Sequence, residues 1–171
     1  AVTSPSISGD ATKLYVVYRK NSENFIRTKY STDGGISWAY LTTNPPNSNA
    51  SSIECVFSKG ILHVTYQVGN VIYFSFYNTA EPNPNWTAPY QVSGNYTPTN
   101  PRITINNSGT VDTVYFTFDE SEPRFIEWRR YNVDDGMGPL FSFYQSSQYY
   151  FKNLCVSVDN SYIYCFYYDN G

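Results

Sequence analysis

The chain has 171 residues, enough for one ordinary domain with a sizeable core, and it holds 18 Tyr and 11 Phe at a formal charge of −3. That charge is spread without runs, which excludes a basic face for nucleic acid or an anionic membrane, and no apolar run approaches a membrane span. Aromatic and β-branched residues fit pleated surfaces, and nowhere do apolar residues recur at helical spacing, so the composition predicts an all-β fold.

Taken in chain order, the first predicted strand is SPSISGD at 4–10, followed by LYVVY at 14–18 and FIRTKYS at 25–31. A turn, STDGGISW, and a weak fourth segment close this group. The same order returns as IECVFSKG at 53–60, LHVTY at 62–66 and VIYFSFYN at 71–78, and again as PRITINNSG at 101–109, VYFTF at 114–118 and FIEWRRYN at 125–132. Arg129 and Arg130 adjoin in the last of these, but on a strand they point to opposite faces and form no patch. The chain then begins a fourth group with LCVSVDNS at 154–161 and IYCFY at 163–167.

The second-strand residues Tyr18, Tyr66, Phe118 and Tyr167 lie 48, 52 and 49 residues apart. Four-stranded units repeating at roughly 40–50 residues are the sequence signature of a β-propeller. The central strands are apolar on both alternating faces, as expected of sheets packed between neighbouring sheets. One propeller region over 1–171 is expected, with blades at about 1–46, 47–98 and 99–148 and a partial blade at 149–171. Propellers close with typically four to eight blades. The missing blades are therefore expected from the same chain or from another copy, as in a homodimer or larger assembly.

Within the first repeat, Ser31, Asp33, Gly35, Ser37 and Trp38 stand at fixed offsets after a strand. An Asp carboxylate there can accept backbone N–H groups of its own turn, glycines admit positive φ, and a Trp can fold back as an apolar plug. This pattern resembles the Asp-box, or bacterial neuraminidase repeat, of the sialidase-like propeller superfamily. The likeness is strongest over residues 4–38; Tyr77-Asn-Thr with Trp86, and Tyr131 to Gly136, hold the same place in decayed form. The resemblance implies a secreted or cell-surface propeller whose Asp-box joins the third and fourth strands of a blade, on the side away from the active site. The superfamily includes non-enzymatic members.

Sialidases in that superfamily resemble one another in three carboxylate-gripping arginines, a Tyr–Glu nucleophile pair and an Asp acid/base. Their first arginine lies in an Arg-Ile-Pro-like motif, whereas Pro101-Arg102-Ile103 holds those residue types in another order. No catalytic residue carries over. Repeat alignment sets Ser6, Glu54, Arg102 and Cys155 at equivalent places on the inner strands. Glu54 and Arg102 are accordingly the candidate ligand contacts, with solvated channel lining or an ion pair between blades as the alternative.

His63 is the only histidine and falls mid-strand, so a packed histidine is expected and a multi-histidine metal site is not. Asp134-Asp135-Gly136 supplies too few ligands for a calcium loop, and nothing calls for a cofactor. Trp38 and Trp86 sit at turn positions and Trp128 in a strand, which favours packing roles. Cys155 and Cys165 flank the turn at 159–161; were 158 paired with 162, they would face each other, leaving a cross-strand disulfide and two reduced, buried thiols as open alternatives. Cys55 is expected to be a small buried residue.

The N-terminus AVTSPSIS lacks an initiator Met and a signal-peptide pattern, as in a mature secreted chain or an excised fragment. The sequence reading is thus a non-catalytic, extracytoplasmic binding or scaffolding propeller, with a glycan or a protein as ligand. A fragment of a sialidase-like glycoside hydrolase and a self-assembling structural surface protein are the alternatives.

Overall fold

The computed structural model describes residues 2–20, 25–46, 49–94, 97–106, 112–120, 124–146, 151–159 and 161–169, and every named element is a strand. The expected repeat limits at 47 and at 148–149 lie outside the described residues. β1 (Val2–Gly9), β2 (Leu14–Lys20), β3 (Phe25–Ser31) and β4 (Ala39–Tyr40) form one sheet in chain order. β5 (Ser51–Ser58), β6 (Ile61–Val68), β7 (Val71–Asn78) and β8 (Tyr90–Gln91) form a second in the same order. In the third, β9 (Pro98–Asn106), β10 (Thr113–Glu120), β11 (Arg124–Asn132) and β12 (Gly136–Met137) follow the pattern, and β13 (Phe141–Ser146) also pairs with β11. β14 (Phe151–Val158) and β15 (Ile163–Asp169) pair as a two-stranded sheet.

The chain divides into two compact units, the first comprising 1–69 and 73–90, the second 70–72 and 91–171. In the first, Val17, Leu62, Val64 and Tyr66 are fully enclosed, and Tyr15 packs on Phe57 with ring centroids 4.8 Å apart. Five consecutive residues of β6, from Leu62 to Tyr66, are buried, so both faces of this strand are covered as its sequence predicts. In the second, Val114, Phe116, Phe118 and Ile126 are enclosed, and Leu154 packs with Ile126. The residues that mark the repeat, Tyr18, Tyr66 and Phe118, are all buried. Tyr66 keeps its hydroxyl satisfied by donating to the Pro46 carbonyl at 2.8 Å.

A bulge opens every inner strand, between Thr3 and Ser6, between Ser51 and Glu54, opposite Thr117 and Asp119 on β9, and between Lys152 and Cys155. In the first three sheets a non-glycine residue takes positive φ there: Ser4 at 48°, Ser52 at 48° and Asn100 at 49°. Side chains then bridge neighbouring inner strands. Ser6 Oγ accepts from Cys55 N at 3.0 Å and Ser8 Oγ from Phe57 N at 2.9 Å. In the second unit, Asn106 Nδ2 donates to the Asp159 carbonyl at 3.0 Å.

Candidate functional site

The turn after β3 is held by its own polar groups. Ser37 donates to the Asp33 carboxylate through its amide, 3.0 Å to Oδ1, and through its hydroxyl. Ser31 Oγ donates to Asp33 Oδ1 at 2.7 Å and accepts from Gly35 N at 2.9 Å. Gly34 and Gly35 take φ of 72° and 92°, and Trp38 Nε1 donates to the Gly35 carbonyl at 3.0 Å, folding the ring back over the turn. These bonds, those from Ser37 foremost, hold the Asp33 carboxyl far below the usual carboxylate range. A depressed folded-state pKa stabilises above the unfolded value and is lost as pH falls through the folded one. An NMR titration is therefore expected to show Asp33 still ionised in the folded chain below its ordinary pKa of about 3.9. In Asp33→Ala, the Ser37 amide should lose its protection from hydrogen exchange, and unchanged protection would contradict this account of the turn.

The turns after β7 and β11 use asparagine instead. Asn78 Oδ1 accepts from Ala80 N at 3.0 Å, and Asn132 Oδ1 from Asp134 N at 2.8 Å. Trp86 bridges Tyr77 and donates Nε1 to the Thr43 carbonyl at 3.3 Å.

The four aligned inner-strand positions do occupy one register place: Ser6 faces Val17, Glu54 faces Thr65, Arg102 faces Thr117 and Cys155 faces Phe166. Ser6 is engaged in the bridge to Cys55, and Arg102 donates its Nε to the Leu154 carbonyl of the next inner strand. Glu54 is half-buried on β5. Close to Arg102, the buried Asp119 accepts through Oδ2 from Thr99 Oγ1 at 2.9 Å and from Asn100 Nδ2 at 3.3 Å. Burial raises the Asp119 pKa, and those two bonds and the Arg102 charge offset only part of the rise. Glu127 is also buried, with Ser142 Oγ donating to its Oε1 at 3.1 Å.

The disulfide alternative fails on register. Asp159 N donates to the Tyr162 carbonyl at 3.0 Å, and Asp159 Oδ1 accepts from the amides of Ser161 and Tyr162. This turn therefore closes on Val158 and Ile163, one residue beyond the 158–162 pairing that would align the cysteines. Cys155 then faces Phe166, Cys165 faces Val156, and both thiols are free, but Cys155 is exposed and Cys165 only half-buried, so neither is the buried thiol expected. Successive strand residues point to opposite faces, so the two sulfurs lie on different sides of the hairpin. His63 is buried and stacked parallel to Phe74, ring centroids 5.9 Å apart.

The feature that sequence reasoning missed is a cleft of about 280 Å³ in the first unit, beside the 31–38 turn, lined by Lys13, Tyr15, Tyr30, Tyr40, Thr42 and Tyr77. Its volume is close to the lower end of ligand pockets, roughly 300–1,000 Å³. Tyr15 and Tyr77 are buried and form its depth, while Tyr40 is 57% exposed at its rim. Burial, together with Tyr77, Asp10 and Tyr30 nearby, pushes the Tyr15 phenol up to about 12, so it stays a neutral hydroxyl. Lys29 Nζ lies 4.6 Å from the Tyr40 ring centre and steadies it. The cleft thus offers flat apolar rings, phenolic hydroxyls and an ammonium group on one small surface. The tyrosine-rich composition pointed only to pleated strands, because the rings that meet here lie far apart in the sequence.

Successive four-stranded antiparallel sheets in chain order define the class: this is the β-propeller fold, present as three blades and a two-stranded partial fourth. Solved structures share it. A thermostable family-43 glycoside hydrolase superposes with a TM-score of 0.59 at 13% identity, over 99% of this chain and 64% of its own. An exo-β-1,3-galactanase from Phanerochaete chrysosporium, solved with β-1,3-galactotriose, gives 0.63 at 9% identity, over 96% of this chain and 43% of its own. The Aleuria aurantia lectin, solved with Fucα1-6GlcNAc, gives 0.58 at 20% identity, over 81% and 45% respectively. At such identities the likeness is one of fold. The chain spans less than two thirds of each of these proteins, and none of the three is a sialidase. No family profile and no curated protein matches the chain.

Proposed function

We propose that the chain is part of an extracytoplasmic, non-catalytic β-propeller that binds carbohydrate. The observation that carries this reading is the tyrosine cleft. Pyranose rings have apolar C–H faces and a rim of hydroxyls, and the cleft meets the first with aromatic rings and the second with phenols, Thr42 and Lys13. Propeller neighbours that include a fucoside-bound lectin and two glycoside hydrolases support the ligand class. In this reading residues 31–38 are the Asp-box of a sialidase-like blade, and the cleft lies at the same blade end, away from where that superfamily does chemistry. Glu54 and Arg102 remain candidate ligand contacts on the inner strands. The repeats at 1–46, 47–98, 99–148 and 149–171 are blades of one region, completed by blades from the same chain or from another copy. No helix among the described residues is long and apolar enough to cross a membrane.

Saturation-transfer NMR with methyl glycosides of galactose, glucose, mannose, fucose and xylose tests the reading. At least one glycoside is expected to bind, and Tyr40→Ala should weaken binding at this cleft roughly tenfold. Binding indifferent to Tyr40→Ala would remove the cleft from the account.

A glycoside hydrolase fragment is the second reading, favoured by Asp119, a buried carboxyl with a raised pKa beside Arg102. Release of nitrophenol from aryl glycosides by the wild-type chain, absent in Asp119→Asn, would replace the binding reading with this one.

A further inference from the structure

The tyrosine cleft has a counterpart in the second compact unit. In the first repeat Tyr15 faces Tyr30 across β2 and β3; in the third, Tyr115 faces Arg130 across β10 and β11. Tyr115 and Arg130 line a cleft of about 160 Å³ with Trp128, Asp159, Ser161 and Tyr162, the last three from the turn between β14 and β15. Two clefts thus open at the same register place in two different repeats, each against the following blade. The ring they share is Tyr15 in one and Tyr115 in the other, a place the intervening repeat gives to the buried His63, and the rest of the two linings differs.

We propose that this second cleft is another sugar-binding site, selective for a neutral pyranose through a pair of adjacent hydroxyls. The proposal rests on the carbohydrate reading of the first cleft and extends it to a site of different chemistry. Trp128 and Tyr115, ring centroids 6.2 Å apart, supply the aromatic surface, and Phe141 stacks on Trp128 at 4.6 Å to hold its plane. Arg130 supplies donors only, and its stem is set by Gly138, where even a Cβ would come within 3.1 Å of Arg130 Cγ. Gly138 N also donates to the Arg130 carbonyl at 2.9 Å.

Asp159 supplies the acceptors. Its Oδ1 takes two amides at 2.7 Å and its Oδ2 takes the Tyr164 hydroxyl at 2.8 Å, which fixes the carboxylate. A carboxylate has about four lone-pair sites, so one remains for a ligand hydroxyl. A diol is at once donor and acceptor, and it matches a carboxylate beside a guanidinium. An acidic sugar would gain at Arg130 and lose at Asp159. The first cleft has its ammonium group with no carboxylate in its lining, so the two sites should differ in their tolerance of charge.

Titration calorimetry of the full chain with the same five methyl glycosides, and with methyl glucuronide as the acidic probe, decides the matter. Two equivalents of a neutral glycoside per chain are expected. Tyr40→Ala should leave one; Arg130→Ala and Tyr162→Ala, the latter a residue 66% exposed and thus dispensable for packing, should each weaken the other about tenfold or more. Circular dichroism on each variant confirms that it folds. One equivalent, abolished by Tyr40→Ala and untouched by Arg130→Ala and Tyr162→Ala, would overturn the second site and leave the first. One equivalent with the opposite response would overturn the first and keep the second. Glucuronide bound at the Arg130 site as tightly as the neutral sugars would overturn the proposed selectivity, and no binding by any probe would overturn both sites.

Discussion

Phe118→Ala is expected to destabilise the chain by about 3–5 kcal/mol, the usual range for emptying a fully buried aromatic site. Phe118 is 0% exposed on β10 and occupies the place of Tyr18 and Tyr66 in the other repeats. Its ring has been removed from water entirely; Phe118 pairs with Glu127 of β11, and β9 is laddered at its neighbours Thr117 and Asp119, so both flanking strands are held in place around the void. The lost transfer energy and the unfilled cavity therefore add. Urea unfolding should show a lower midpoint with an unchanged slope, the signature of altered stability with an unaltered unfolded state. A loss below about 1 kcal/mol would mean that the sheets close over the gap, and that the repeat-marking position is not a packing anchor.

Gly9→Ala is the second large effect, and it arises from crowding. A Cβ at Gly9 would meet the Lys13 carbonyl oxygen at 2.2 Å and Leu14 Cα at 2.8 Å, both backbone atoms of the facing arm. The hairpin cannot open freely, because Asp10 N donates to the Lys13 carbonyl and Asp10 Oδ1 accepts from Thr12 N and Lys13 N. Overpacking of this kind typically destabilises by about 1–3 kcal/mol, occasionally more. In the last sheet Val158 faces Ile163 at the corresponding place, so a wider form of this hairpin exists within the chain. The expected loss is therefore within that range, and thermal unfolding of Gly9→Ala at wild-type stability would show that the first hairpin takes up the wider form at no cost.

The strands were legible because each alternates or is apolar throughout, and because the pattern returns three times. LHVTY at 62–66 and VYFTF at 114–118 lie within β6 and β10, and the polar turns between them lie where the strands end. What the sequence left ambiguous was register. One additional residue in the Asp159 turn, drawn in by the aspartate's own bonds to Ser161 and Tyr162, moved Cys155 away from Cys165. Such side-chain bonds are invisible to strand periodicity, although Asp10 makes the same ones to Thr12 and Lys13 and could have served as the guide. The clefts were less legible still. Tyr15, Tyr40 and Tyr77 come from three separate strands, β2, β4 and β7, and only packing of one blade on the next brings them together. In the sequence Arg130 was only one of two adjoining strand arginines that form no patch, and the structure places Tyr115 and the Asp159 turn beside it.

The bridges between neighbouring inner strands have a bearing on how such a chain grows. Ser6 and Ser8 reach Cys55 and Phe57, and Asn106 reaches Asp159, through side chains and not through a shared backbone ladder. A seam of that kind is written in single codons. Added to apolar packing such as Tyr15 on Phe57, such bridges join neighbouring blades without a strand register between them. The seam is thus written with serines between β1 and β5, and with arginine and asparagine from β9 to the last sheet.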